Sequence, residues 1–429
     1  MKCNSLLSIC CLTLLFLSSC GGGGKSASCS ADGSTGCTAG DTLALRYARR
    51  LSIVEHDSCS VASLVDPWDT TRILHRYVLV PAGQPLPAQL PEGTLLRTPL
   101  SRSLVYTSVH CGLLHELGVG QAIAGVCDLS YIDLPSIHEG VGQGRITDCG
   151  SGMNPDIERI MALRPDAILL SPFENSGGYG RLEQLGIPLV ECADYMETSP
   201  LGRAEWVRFY GRLYGCAPQA DSLFAAVEER YLALQALAAA TTSRPLVLME
   251  LKSSSAWYVP GGQSTTGILC RDAGARYAFA DDAHSGSVPL SFETVFARAS
   301  EADYWLFKYN RSYEMTYGSL EADYAGYAAF RPFRERQIYV CHTGRVPFYE
   351  ETPFHPDLLL SDLLHIFHPE LAADAVANAA DAAAKAADAP ANAADAPANA
   401  ADAAGEKAGI EAATIAESEG LHYFCKLKQ

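Results

Sequence analysis

Short apolar runs alternate with helical stretches along most of the chain. Between residues 103 and 194, the runs SLVYTS, AIAGVCD, DAILLSP and PLVECAD have the length of buried strands. Stretches with helical spacing, such as HCGLLHELG and NPDIERIMALR, separate these runs. Two long helical segments follow, 201–216 and 219 to about 240, before the alternation resumes with LVLMELK, YWLFKYN and IYVCHTG. This order predicts an α/β fold with two three-layer α/β lobes joined by a rigid helical spine.

The pattern also predicts where each part begins and ends. We expect a first lobe at 43–200, with strand-like sequence as far as Val80, a spine at 201–243 and a second lobe at 244–371. From 372 to 419 the chain is rich in Ala and Asp, with an Asp every seven residues and two prolines. Alanine alone buries too little apolar area to offset chain ordering, so we expect a low-complexity insertion. The alternating HYFCKLK after it predicts that 420–429 is the final strand of the second lobe.

The N-terminus has the features of an export signal. Lys2 precedes an apolar run over 6–17, which is too short to span a bilayer but suits a secretory signal. The sequence Leu17-Ser18-Ser19-Cys20 resembles a bacterial lipobox, which predicts a signal peptide at 1–19 and lipidation of Cys20. A plain signal peptide with a chance cysteine is the alternative. The Gly/Ser-rich residues that follow predict a flexible tether over 20–42.

Composition and charge exclude several classes of function. The chain has 429 residues, is 48% hydrophobic and carries a formal net charge of −17, which excludes wholesale disorder and argues against nucleic acid as a partner. The sequence has no G-x-S-x-G, no H-E-x-x-H and no zinc framework of Cys and His, so we do not expect an enzyme. Most of the 15 cysteines are single residues inside apolar runs, which predicts buried thiols.

Two glutamates occupy similar positions in the two predicted lobes. Glu158 precedes the strand DAILLSP, Glu293 precedes YWLFKYN, and neither lies on the buried stripe of its helix. We expect Asn154 and Ser291 to cap these helices. Acidic residues near helix N-termini can simply complement the helix dipole, which is the alternative to a functional role.

Several motifs in order resemble the iron-complex/vitamin B12 class of periplasmic binding proteins of ABC importers, in its Bacteroidetes-like lipoprotein variety. They are the lipobox, NPDIERIMALRPDAILL, LEQLGIPLV, PLGRAEW and RPFRERQIYV…HPDLLLSDLLHIFHPEL. The resemblance implies a monomeric, lipid-anchored periplasmic protein with a ligand cleft between the lobes. It also implies that Glu158 and Glu293 dock onto arginines of a membrane permease. The protein itself would need no cofactor, while the transported siderophore, haem or corrinoid contains iron or cobalt.

Candidate ligand-binding residues follow from the rule that α/β sheets bind ligands beyond the carboxyl ends of their strands. In the first lobe the rule selects Ser108, His110, Asp128, Tyr131, Phe173, Tyr179 and Tyr195. In the second lobe it selects Trp257, Tyr258, Tyr309, His342 and Arg345, with Lys252, Lys308 and Tyr349 nearby. Aromatic side chains suit a large flat ligand, and cations suit an anionic iron complex. His110 and His342 have the chemistry of metal ligands, although satisfied loop histidines are the simpler interpretation, and we assign no metal site.

Two other functions fit the same sequence. Chelatases share a two-lobed α/β build, so a lipid-tethered metal-inserting enzyme is one alternative. A stand-alone lipoprotein that scavenges haem or corrinoid without a permease is the other.

Overall fold

The predicted alternation corresponds to two parallel β-sheets, each flanked by helices. The computed structural model describes residues 40–174, 178–371 and 420–429. The predicted signal peptide, Cys20, most of the tether and the whole insertion at 372–419 lie outside these residues. Among the residues that are described, no helix is both long and apolar enough to cross a bilayer.

The N-terminal strands form a sheet of their own. Its strands are β1 (Asp41–Thr42), β2 (Leu51–Glu55), β3 (Ser60–Val65), β4 (Ile73–Pro81) and β5 (Thr94–Thr98). They lie in sequence order, and all neighbours are antiparallel except the parallel pair β4–β5. Alternate residues of β2, Leu51 and Ile53, are buried, as expected for a sheet with one face on the core.

The first lobe contains a five-stranded parallel sheet. Its elements are β6 (Ser103–Val105), α1 (Ser108–Glu116), β7 (Ile123–Val126), α2 (Pro135–Gly142), β8 (Thr147–Asp148), β9 (Gly150–Ser151), β10 (Asn154–Pro155), α3 (Ile157–Leu163), β11 (Ala167–Leu170) and β12 (Leu189–Glu191). The sheet order is β12-β11-β6-β7-β8, and β9 and β10 form a separate hairpin.

Three helices connect the lobes: α4 (Pro200–Glu205), α5 (Val207–Leu213) and α6 (Ala217–Ala240). Helix α6 has 24 residues and is therefore about 36 Å long. It packs against α4 and α5, and Arg230 on α6 forms a 2.6 Å ion pair with the buried Asp357 of the second lobe.

The second lobe repeats the architecture of the first. Its elements are β13 (Leu246–Met249), β14 (Lys252–Ser253), β15 (Ala256–Pro260), α7 (Thr265–Asp272), β16 (Arg276–Tyr277), β17 (Ser287–Leu290), α8 (Phe292–Ala299), β18 (Tyr304–Tyr309), α9 (Tyr317–Asp323), α10 (Arg331–Arg334), β19 (Ile338–His342), α11 (Phe348–Glu351), α12 (Pro356–Phe367) and β20 (Cys425–Lys426). The main sheet has the order β16-β13-β18-β19-β20, in which only β20 is antiparallel to its neighbour.

The strand orders reveal the correspondence between the lobes. The run β7-β6-β11-β12 in the first lobe corresponds to β16-β13-β18-β19 in the second. Helix α3 leads into β11, and α8 leads into the equivalent β18. The predicted two-lobed α/β fold is therefore confirmed, with an additional N-terminal sheet that the sequence pattern did not separate from the first lobe.

The carboxyl ends of the two parallel sheets meet where the lobes touch. Helix α1 follows β6, α11 follows β19, and the two helices pack together. His355, just after α11, lies 2.7 Å from a carboxylate oxygen of Glu116 on α1. Since ligands of α/β sheets bind at this edge, both lobes present their candidate binding edge to the same region.

Buried thiols are confirmed as well. Eight of the nine described cysteines are buried, and Cys425 is half-buried. Burial raises the pKa of the Cys270 thiol to about 12, as expected for an inert thiol in an apolar core.

Candidate functional site

Six large aromatic side chains are exposed among the described residues, and each follows a different strand of the two parallel sheets. They are Tyr131 after β7, Phe173 after β11, Tyr195 after β12, Tyr258 after β13, Tyr313 after β18 and Tyr349 after β19. Exposed aromatic rings carry a hydration cost that a ligand removes by covering them. All six lie in segments that follow the carboxyl ends of these strands, which makes this edge a candidate surface for a ligand with flat or apolar faces.

A cavity of about 750 Å³ opens at the carboxyl ends of β13 and β18. Hydroxyl groups and charged side chains dominate its lining, which consists of Glu250, Leu251, Lys252, Ser253, Ser254, Tyr258, Pro260, Ser264, Thr265, Thr266, Ser285, Gly286, Ser287, Lys308, Tyr309, Asn310 and Arg311. All of these residues belong to the second lobe. The cavity therefore lies at the edge of the second lobe where the sequence predicts ligand binding.

Positive charge prevails in this cavity, because three cationic side chains line it against one carboxylate. Lys308 forms an ion pair with Glu250. Burial lowers the pKa of Lys308 to about 8, and Cys341 opposes this shift. Lys252 lies 5.0 Å from the ring centre of Tyr324, and Arg311 pairs with Asp323 at 2.8 Å.

Helix α7 begins in the wall of the cavity. The Ser264 hydroxyl caps the helix by accepting from Gly267 N at 3.1 Å, while Thr265 and Thr266 of the first turn line the cavity. A Cβ atom at Gly261 would lie 2.2 Å from His284 O, so only glycine fits where this loop turns into the helix. The positive end of the helix dipole adds to the preference for an anion. The sequence PGGQSTTG contains this signal, which the strand-end rule does not use.

The structure gathers several of the predicted residues at the binding edge. In the first lobe, Ser108 opens α1, Asp128 follows β7, and Tyr131, Phe173 and Tyr195 are exposed on neighbouring loops. The Tyr195 hydroxyl donates a hydrogen bond to the carbonyl oxygen of Pro172. Phe173 is the next residue after Pro172 in the chain. In the second lobe, Tyr258 and Tyr309 line the cavity together with Lys252 and Lys308.

Two of the predicted contacts are wrong because their side chains are buried. His110 is 4% exposed, and its Nε2 lies 2.9 Å from Asp194 Oδ1 and 2.8 Å from the Tyr210 hydroxyl. Its Nδ1 is occupied by the Thr107 hydroxyl, so neither nitrogen is available to a ligand or metal. Trp257 is fully buried, and its Nε1 donates to Met249 O at 3.2 Å.

The His110 cluster instead ties the first lobe to the helical spine through charge and hydrogen bonds, and it packs against the second lobe. Burial opposes a charged imidazole here, but Cys192 and Asp194 outweigh burial and raise the pKa of His110 to about 10. Burial likewise opposes charge on Asp194, yet His110 and Arg203 lower the pKa of that carboxyl to about 2. Phe354 of the second lobe places its ring 6.3 Å from that of His110. The histidine therefore has a structural role at the lobe interface.

Three further predicted residues lie apart from the cavity. His342 Nε2 lies 2.9 Å from Arg311 O, and Arg345 forms an ion pair with Glu314. Tyr179 lines a different cavity, between the N-terminal sheet and the first lobe. In the described part of the chain, no three His, Cys, Asp or Glu side chains are grouped as a metal site.

Glu158 and Glu293 occupy equivalent places in the two lobes. Each lies exposed in the first turn of its helix, α3 or α8, and forms no ion pair within the described ranges. Ser291 caps α8 as predicted, but the cap of α3 is Asp156, because Asn154 belongs to strand β10. Glu158 and Glu293 are equivalent because α3 and α8 precede equivalent strands of the two sheets.

Comparison with known proteins identifies the fold family. Residues 105–343, more than half of the chain, match the model of a family described as periplasmic binding protein. An uncharacterized lipoprotein of Methanocaldococcus jannaschii is 25% identical over 77% of this chain and 83% of its own length.

Two solved structures share the fold. A possible iron-binding (periplasmic solute-binding) protein from Staphylococcus epidermidis has a TM-score of 0.50 and 20% identity, and covers 63% of this chain and 99% of its own. A TroA-like periplasmic binding protein from Veillonella parvula has a TM-score of 0.50 and 17% identity, and covers 68% of this chain and 91% of its own. With two α/β lobes whose carboxyl ends meet at one candidate site, the chain belongs to the periplasmic binding protein family, whose members are extracytoplasmic solute-binding proteins.

Proposed function

We propose that this protein is the substrate-binding lipoprotein of an ABC importer, and that it captures an anionic iron complex and delivers it to a permease. The supporting observation is the pairing of a cationic, hydroxyl-rich cavity with six exposed aromatic rings around the same sheet edges. Ferric siderophores and haem combine negative oxygens with flat, conjugated faces, so they match both features. A corrinoid is the second ligand class, since it uses the aromatic faces but has less need of the three cations.

The Staphylococcus epidermidis protein that shares this fold is described as a possible iron-binding, periplasmic solute-binding protein, which supports this choice. The anchor rests on the lipobox at Cys20 and on the lipoprotein relative. A lipid-held tether would keep the binding protein within reach of a permease in the same membrane.

The ligand class can be tested by calorimetric titration of the purified protein. The panel comprises a ferric catecholate, a ferric hydroxamate, haem and cobalamin, with Mg²⁺, Mn²⁺ and Zn²⁺ as bare metals. We expect one anionic iron complex to bind with micromolar or tighter affinity. Binding of a bare divalent metal alone would contradict the proposal, and binding of cobalamin alone would move it to the corrinoid class.

Cavity variants tie the binding to this site. Lys252→Met and Tyr258→Ala should each weaken binding about tenfold, because one removes a cation and the other an exposed ring. Lys426→Met is the matched control, since Lys426 also lies over a ring, 6.0 Å from the centre of Tyr339, but outside the cavity. If all three variants bind the ligand as tightly as the wild-type protein does, the ligand binds elsewhere.

A further inference from the structure

A second cavity, of about 600 Å³, lies between the N-terminal sheet and the first lobe. Leu74 and His75 of β4 and Thr94 of β5 line one side, while Tyr179 and Glu191 line the other. The family match begins at residue 105, after β1–β5. The cavity is therefore formed with an element that the matched region does not include.

A buried carboxylate faces this cavity with one oxygen that accepts no hydrogen bond. Glu191 is only 7% exposed, and its Oε1 accepts a hydrogen bond from the Tyr179 hydroxyl at 2.8 Å. Its Oε2 accepts no hydrogen bond and lies 3.2 Å from His75 Nδ1. The other nitrogen of His75 lies 2.7 Å from the Thr94 hydroxyl. Buried polar atoms of this kind normally have a hydrogen-bond partner.

The charge of the lining is unbalanced. Among the described residues that line the cavity, Glu183 and Glu191 are carboxylates, no Lys or Arg is present, and His75 is the one basic side chain. Even when His75 is protonated and pairs with Glu191, the lining carries two carboxylates against one positive charge, and unbalanced charge is costly where it is buried. The remaining wall is largely apolar, with Leu74, Ile187 and Leu189 among its members.

We propose that this cavity binds an organic cation with an apolar body, of the alkylammonium or arylalkylammonium class. The ammonium group would donate a hydrogen bond to Oε2 of Glu191, which accepts none from the protein, and the body would cover the apolar wall. An ammonium supplies both the hydrogen bond and the charge that the lining lacks. Its chemistry is opposite to that of the cationic cavity in the second lobe, so this is a separate site for a different ligand.

Calorimetry on the full-length lipoprotein in detergent tests the proposal with phenethylammonium chloride as the probe and phenethyl alcohol as its neutral counterpart. We expect the wild-type protein to bind the ammonium at least about tenfold more tightly than the alcohol, as expected for a charge-assisted hydrogen bond. Glu191→Gln keeps the shape of the side chain and should remove this preference. Glu321→Gln, an exposed carboxylate on α9, is the matched control and should keep it.

A second variant decides the matter if Glu191→Gln does not fold. Ile187 is a half-buried wall residue, so Ile187→Trp should fill the cavity without removing a buried charge. We expect this variant to weaken ammonium binding at least tenfold. The proposal is overturned if the wild-type protein shows no preference for the ammonium, or if binding survives in the folded Glu191→Gln or Ile187→Trp protein.

Discussion

The carboxylate of Asp362 accepts a hydrogen bond from the backbone N–H of Tyr423 at 2.7 Å, although the two residues are 61 positions apart. The N–H groups of His422 and Phe424 donate to the same carboxylate at 2.6 and 3.0 Å. Asp362 is fully buried on α12, in the segment directly before the Ala-rich insertion. One side chain therefore fixes the point at which the chain returns to add β20 to the second sheet.

Removing this carboxylate should destabilise the second lobe. Asp362→Ala leaves three backbone donors without their acceptor, and we expect a loss of about 3 kcal/mol in the free energy of unfolding. Chemical denaturation of both proteins measures the difference. Glu321→Ala, at an exposed site on α9, is the control and should change stability by less than about 0.5 kcal/mol.

The insertion itself should be dispensable. Both of its flanks are attached to the fold, since α12 and Leu371 precede it and the Asp362 contacts hold the segment after it. Long surface loops cost little in closure entropy. Replacement of 372–418 by a short Gly/Ser link should therefore leave the melting temperature and the ligand affinity nearly unchanged. A large drop in either would show that the segment packs on the lobes.

The buried pair of His110 and Asp194 predicts a pH dependence of stability. A histidine whose pKa rises from 6.5 to about 10 on folding stabilises the protein fully below pH 6.5, and this contribution is lost as the pH rises towards 10. The carboxylate of Asp194, with its pKa lowered to about 2, contributes fully above pH 3.8 and loses its contribution as the pH falls through 2.

Unfolding free energies measured from pH 5 to pH 10 test this assignment. The wild-type protein should lose stability between pH 6.5 and 10, and His110→Gln should be less stable at pH 6 and lose most of that slope. His115→Gln, an exposed histidine on the same helix, should keep it. A slope that is unchanged in His110→Gln would show that other groups cause it.

The proposed lipid anchor predicts the cellular distribution of the protein. Cys20→Ser would remove the proposed acylation site, and each buried CH₂ of an acyl chain contributes about 0.8 kcal/mol to membrane binding. The variant should therefore move from the membrane fraction to the soluble extracytoplasmic fraction. Immunoblotting of both fractions measures this, and retention of the variant in the membrane would refute the anchor.

The sequence was sufficient to predict the fold and to select a candidate sheet edge for the site, but not the direction of individual side chains. Strand-sized runs predicted both parallel sheets, because apolar periodicity reports burial along a strand. Trp257 and Tyr258 are adjacent on β15, where neighbouring side chains point to opposite faces, so only Tyr258 reaches the cavity. The assignment of His110 to the ligand site failed for another reason. Its partners Asp194 and Tyr210 come from distant segments that no local sequence pattern connects.

Docking onto a permease is the prediction that depends most directly on the repeated lobes. Glu158 and Glu293 stand in the first turns of equivalent helices, α3 and α8, and both are exposed. A hydrogen bond from its own backbone N–H and another from Ser291 lower the pKa of Glu293 below its ordinary value. Two like charges related by the pseudo-symmetry of the lobes would suit a permease with two matching arginine-bearing subunits.

Uptake and ligand affinity measured on the same variants separate docking from a role in the helix dipole. Glu158→Ala combined with Glu293→Ala should abolish uptake and leave ligand affinity intact, with each single change intermediate, because loss of a docking charge pair costs about 2–5 kcal/mol. Glu139→Ala combined with Glu321→Ala also removes one exposed glutamate from each lobe, but neither lies in a first helical turn, so uptake should stay normal. If the two glutamates only complement their helix dipoles, each change would cost about 0.3–1 kcal/mol of stability and transport would be unaffected. Normal uptake by the Glu158/Glu293 double variant would therefore end the docking hypothesis without touching the proposed ligand site.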